Sequence, residues 1–132
     1  MSIDMMLEVV EQLNLGEIRE IFCIAGVKIF EDSPEALSGN FKSNMFVFYQ
    51  PRVIRRRAIA EEEGAWKDWE IGSVLVFTYA KHSFDECRSE LKSFLELLAA
   101  HTQSKFVLSF QYEHVHAVRS DEGINFVEGC WG

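Results

Sequence analysis

Hydrophobic and polar positions follow two rhythms along this chain, and together they divide it into elements. Ile3, Met6, Leu7, Val10 and Leu13 fall at helical spacing, with Asp4, Glu8 and Glu11 facing outward. That spacing predicts a helix over about residues 2–14, stopped by Gly16. The run from Ile21 to Phe30 is β-branched and aromatic, which predicts a strand with Gly26 at a bulge. Glu31-Asp32-Ser33-Pro34 ends it, and loop follows up to Asn40. Phe41 to Gln50 reads as an interior strand, because Met45 to Tyr49 are apolar on both faces. Gln50-Pro51-Arg52 then signals a turn, and Val53 to Ala60 is expected to return antiparallel.

The second half is more regular. Glu61 to Glu70 is a charged loop or short helical turn, and Ile71 to Ala80 is a strand. Ser83-Phe84-Asp85-Glu86 has the spacing of a capping box. Phe84, Cys87, Leu91, Phe94, Leu95 and Leu98 then line one face of a helix running to about residue 101. Phe106, Leu108, Phe110 and Tyr112 alternate along a further strand. A final hairpin joins His114–Arg119 to Ile124–Glu128 through the turn at 120–123. The predicted order is α-ββββ-α-βββ, an α+β fold in which two helices pack on a mainly antiparallel sheet of about six to seven strands.

Composition adds limits. The 132 residues suit a single domain over 1–132, large enough to bury a core without disulfide or metal. Hydrophobic residues are 48% and charged residues 26%, the usage of a folded chain, and eleven Phe suggest a core of large rings. The first residues have no basic, apolar leader pattern, and Val74 to Phe77 is too short an apolar run to span a bilayer. Cys23, Cys87 and Cys130 are odd in number and lack CxxC spacing, which fits reduced thiols in a cytoplasmic protein. Cys23 and Cys87 fall in apolar patterns and are expected to be buried, with Cys130 more accessible.

The formal net charge of −8 argues against nucleic acid or an anionic membrane as the main partner. It is unevenly placed: residues 41–60 carry five basic groups and no acidic ones, between a segment of net −6 and one of net −7. Arg52, Arg55, Arg56 and Arg57 form this basic island. They could recognise phosphate or carboxylate, but pairing with Glu61, Glu62, Glu63, Asp68 and Glu70 on an edge strand is the preferred reading.

No P-loop, GxGxxG, HExxH, GxSxG or paired CxxC occurs, so the sequence assigns no catalytic residue, metal or cofactor. His114 and His116, two apart on a strand, are the best metal or acid–base candidates, with Glu113, His82 or Cys130 as completing groups. The simpler reading makes them part of the strand's alternation. Trp66, Trp69 and Trp131 sit among glycines and charges, either as a binding patch or folded back over the sheet.

These features favour a non-enzymatic, protein-binding module with a basic partner. The expected form is an immunity protein or antitoxin that covers the active surface of a cognate toxin domain, a nuclease for example, since such surfaces are basic. The partner-binding residues expected are Glu61, Glu62, Glu63, Trp66, Asp68, Trp69 and Glu70. One alternative is an acidic, dimeric secretion chaperone. The other is a small enzyme or ligand-binding domain using His114, His116 and the Arg52–Arg57 cluster.

Overall fold

The computed structural model describes residues 2–60 and 64–131, with the side chains of 51–55 and of Ala65 outside that description. It shows an α+β fold in which an antiparallel sheet carries two helices. The strands are β1 (Ser2–Val9), β2 (Lys28–Asp32), β3 (Leu37–Asn40), β4 (Phe46–Arg57), β5 (Glu70–Ala80), β6 (Phe106–Phe110), β7 (His114–Ser120) and β8 (Gly123–Phe126). The helices are α1 (Leu15–Ile24) and α2 (Phe84–His101). Spatial order in the sheet is β2-β3-β4-β5-β1-β6-β7-β8, and each recorded neighbour pair is antiparallel. β5 and β6 run parallel to one another but are separated by β1, so α2 crosses over β1 to join them.

The first quarter of the chain differs from the expected pattern. Residues 2–9 form a central strand where the spacing predicted a helix. Ile3, Met5, Leu7 and Val9 also alternate with period two. Pairing on both sides, with β5 and with β6, decides for that rhythm. The helix comes next and takes Ile21–Ile24, the start of the segment read as a strand, whose end, Lys28–Phe30, does lie in β2. Asn14 caps it, its side chain accepting from the Gly16 N–H at 2.7 Å, so Gly16 lies in the first turn of a helix rather than at its end. The stop is Gly26, at φ +83°, where Val27 N–H donates to the Phe22 carbonyl and Gly26 N–H to that of Cys23. This is a Schellman motif, which needs the left-handed residue that glycine supplies. Ile18, Ile21 and Phe22 face the core, and Cys23 is turned outward and exposed, contrary to expectation.

Further boundaries moved: residues 37–40, read as loop, form β3, and the strand read from Phe41 begins at Phe46. β4 passes straight through Pro51, where a turn was expected. β3 ends opposite Tyr49, so beyond it one side of β4 meets no described strand, and a proline is tolerated there. The register against β5 shifts between Pro51 and Arg56. β3 and β5 flank the first half of β4, and the edge expected for the arginine-bearing strand lies along its second half. At the start of α2, Ser83 makes no side-chain capping bond; a short 3₁₀ turn, Lys81–Ser83, leads into the helix instead. Asp85 and Glu86 still meet the positive end of the helix dipole.

The core lies between the helices and one sheet face. Across that face runs a row of buried neighbours: Leu37, Tyr49, Leu75, Leu7, Leu108 and Ala117. Above it Phe22, Phe41 and Phe77 pack around Phe94 with ring centroids 5.3–5.9 Å apart. The Tyr49 hydroxyl donates to the Leu13 carbonyl at 2.5 Å and lies 3.3 Å from Ser73 Oγ, tying the β1–α1 loop to the sheet. Burial raises the Tyr49 and Tyr79 phenols above their ordinary range, Tyr79 to about 12. No helix among the described residues is long and apolar enough to cross a membrane.

Candidate interaction face

The other face of the sheet carries three rows of side chains. The first is Asn40, Phe46, Thr78 and Asp4; the second is Ser38, Phe48, Val76, Met6, Ser109 and Val115. The third is Gln50, Val74, Glu8, Val107, Val118 and Asn125.

Cover lies over the middle of the third row, at Glu8 and Val107, and reaches Val115 in the second, and Glu8 holds it down. Its carboxylate is fully buried. It accepts from Ile59 N–H at 2.8 Å, Ala60 N–H at 3.1 Å and Arg56 Nη1 at 2.5 Å. A buried carboxylate survives when its charge is paired and its lone pairs are occupied, and three donors meet both conditions here. Arg56 lies 6.0 Å from the centre of the Tyr112 ring. Its Nε and Nη2 are buried with no hydrogen bond among the described residues.

Beyond the clamp lies a 3₁₀ turn, Ala65–Asp68, and its Trp66 and the following Trp69 pack on the sheet. Trp66 and Trp69 join Ala60, Val107, Val115, Val118 and Val127 in a second small core. The Trp66 ring lies over Gly64, where any Cβ would come within 2.2 Å of it, so glycine permits that close approach. Lys105 Nζ stands 5.3 Å from the Trp69 ring centre. Between Trp66 and the β7–β8 hairpin runs an open groove of about 500 Å³, walled by Val118, Ser120, Glu122, Gly123 and Asn125. The Trp66 indole N–H is buried with no acceptor among the described residues.

The first two rows have no element over their middle among the described residues. Met6, Phe46, Phe48 and Val76 are each partly exposed there. Phe30, the extra residue at a bulge in β2, is 59% exposed and stacks on Phe46 at 6.0 Å. Tyr112 reaches this side as well, because Gln111 and Tyr112 take positive φ after β6 and break the expected alternation. With Met6, Phe48, Val74 and Val76 it lines a dimple of about 90 Å³.

Of the residues expected to bind a partner, Trp66, Asp68, Trp69 and Glu70 fall together along one border of this face. Glu61, Glu62 and Glu63 lie outside the described residues. Both tryptophans are partly buried, with Asp68 and Glu70 exposed beside them. Within the arginine cluster, Arg56 pairs with Glu8 across the sheet, and Arg57 stands 4.0 Å from Asp68 with both ends largely in solvent. That exposed pair contributes little. Arg52 and Arg55 have side chains outside the description. Trp131 belongs elsewhere: its indole donates to the His116 carbonyl at 2.7 Å and its ring meets Phe126 at 5.2 Å, anchoring the C-terminal segment to the helix side.

The histidine pair sits on a bulged strand. Leu108 pairs with Ala117 and Ser109 with Val115, leaving His116 as the extra residue. Val115 joins the tryptophan cluster and Ala117 the main core, so a spacing of two on this strand does not mean a shared face. Among the described residues no three His, Cys, Asp or Glu side chains gather as a metal site. On the helix side Ser43 Oγ contacts the Glu90 carboxylate and lies 3.3 Å from Cys87 Sγ. Burial pushes the Cys87 thiol up despite that contact, which disfavours the thiolate a nucleophile needs.

Sequence reasoning missed Met6, Phe46, Phe48 and Val76 as surface residues. A signal existed: strands apolar on both faces need cover on both, and the pattern offers only two helices. Comparison with family models, with curated proteins and with solved structures finds no match for this chain.

Proposed function

We propose that this chain is a protein-binding module that docks a basic partner protein on the sheet face away from its helices. One observation carries the reading. The middle of that face presents Met6, Phe46, Phe48 and Val76 partly exposed, with no described element over them. A flat apolar surface bordered by tryptophans suits a protein interface better than a small-molecule site, which is typically a deep cleft of at least about 300 Å³. The net charge of −8 favours a basic partner and disfavours nucleic acid.

The biological form that fits these features is an immunity protein or antitoxin occupying a basic toxin surface, such as that of a nuclease. The test uses the cognate partner, taken from the neighbouring gene or captured with this chain and purified. Association should slow as salt rises, because charge steering is screened over about 8 Å at physiological ionic strength. Phe48→Ala and Trp66→Ala should instead speed dissociation, by roughly 2 kcal/mol if either is an interface anchor. Rates indifferent to salt and to both substitutions would refute the proposal.

A further inference from the structure

The sheet ends in two edges that differ in how they are closed. The β2 edge is guarded. It carries Lys28, Glu31 and Asp32, is bulged at Phe30, and is tied to α1 where Arg19 grips both oxygens of Asp32 at 2.7 and 2.8 Å. Charges and bulges of this kind prevent another strand from adding. β8 itself has no charged residue and no bulge, and the one charge of α2 recorded against it, Lys92 Nζ, lies over the Phe126 ring at 5.0 Å rather than on its backbone. The β8 register against β7 runs unbroken from Ser120–Gly123 to Ala117–Phe126, and Val127 N–H continues it by donating to the His116 carbonyl. In an antiparallel pair, inward and outward backbone groups alternate. With Val127 directed inward, the N–H and C=O of Ile124 and Phe126 point away from the sheet, and they have no partner among the described residues.

This edge adjoins the Trp66 groove, whose wall includes Gly123 and Asn125. Residues 120–129 hold Asp121, Glu122 and Glu128 and no basic group. A second copy pairing through β8 would set like charges against each other. A basic strand would meet opposite ones.

We infer that β8 is a strand-addition site: an extended, basic segment of the partner protein pairs antiparallel or parallel with Gly123–Val127 and sets a side chain into the groove beside Trp66 and Glu122. Backbone pairing supplies affinity in this mode, and the groove selects the side chain. The inference rests on the reading of this chain as a binder of a basic protein, and it adds which edge and which conformation the partner uses.

The probe is a synthetic heptapeptide of alternating Arg and Val, titrated against the full chain. It should bind, protect the Ile124 and Phe126 amides from hydrogen exchange, and lose affinity by about tenfold or more when its alternate amides are N-methylated. A Glu/Val heptapeptide should not bind. Ile124→Pro removes one outward N–H at an edge that tolerates proline, and should weaken the Arg/Val peptide similarly. The N-methylated peptide makes the same test on unaltered protein should that variant fail to fold. Binding that leaves Ile124 and Phe126 unprotected and ignores N-methylation would overturn strand addition while leaving a basic-partner face intact. Absence of peptide binding, alongside a cognate partner indifferent to Ile124→Pro, would overturn it equally. A dimer of the chain broken by Ile124→Pro would assign the edge to a second copy instead. The wider reading fails separately, if the cognate partner ignores salt, Phe48→Ala and Trp66→Ala.

Discussion

Two neighbouring rows of the same strands have opposite fates. Leu37, Tyr49, Leu75, Leu7, Leu108 and Ala117 are buried beneath the helices along their whole length. One residue along each of the first four strands, Ser38, Phe48, Val76 and Met6 form a row on the reverse face that is buried at its Ser38 end and partly exposed over the other three. The reverse face is also apolar at Phe46, Phe48, Val76, Met6, Val74 and Val107, yet among the described residues the fold supplies two helices to the first face and a clamped loop to the second. Cover on the second face is held by the Glu8 carboxylate and by Trp66 and Trp69, and it stops short of the middle. Apolar surface left open in this way marks an interaction site more often than a structural oversight.

The largest effect expected is at the clamp. Glu8→Ala removes the shared acceptor of Ile59, Ala60 and Arg56 and leaves a largely buried guanidinium unpaired, so stability should fall by about 3–5 kcal/mol in chemical denaturation. A loss under about 1 kcal/mol would mean the segment is held by its tryptophans instead. Next comes a matched pair on β5. Leu75→Ala should cost about 2–5 kcal/mol, and Val76→Ala about 1 kcal/mol or less, because only the first opens a cavity in a packed core. Equal losses would erase the distinction between the faces. Trp66→Ala should lower stability by roughly 1–2 kcal/mol through the small second core, measured in the isolated chain.

The smallest effect lies on the surface, at Arg19 and Asp32. The hydrogen bond from Arg19 lowers the Asp32 carboxyl pKa below its usual value. A lowered carboxylate adds stability that is fully present above its unfolded pKa of about 3.9 and is lost as pH falls through the folded value. The difference between the native chain and Arg19→Met should therefore be constant near neutrality and vanish in acid. Melts across that range would detect it, and a difference that widens toward low pH would contradict the assignment.

How much of this was legible follows from which signals were local. The α2 face fits a single rhythm and the β7–β8 hairpin a local turn, and both appear where the sequence puts them. β1 fitted two rhythms, period two through Ile3, Met5, Leu7 and Val9 and helical spacing through Ile3, Met6, Leu7 and Val10. Only its two neighbouring strands, from the far half of the chain, decide between them. The last four residues of α1, Ile21–Ile24, are of types that favour strands, and the true markers of the helix were the Asn14 cap and the Gly26 stop. At the candidate face, Trp66 and Trp69 stood out by residue type. Glu8 did not, since its partners lie about fifty residues later and its place in the pattern was that of a solvated charge. Phe48 and Val76 were read as interior because nothing local tells a covered sheet face from an open one.

The most direct test of the docking face is a hydrogen-exchange and cross-linking footprint of the chain bound to its cognate basic partner. Contacts centred on Met6, Phe46, Phe48 and Val76, reaching Trp66 and Asp68 at the border, are the predicted result. A footprint on the outer surfaces of α1 and α2, with the sheet face still open to solvent, would contradict it.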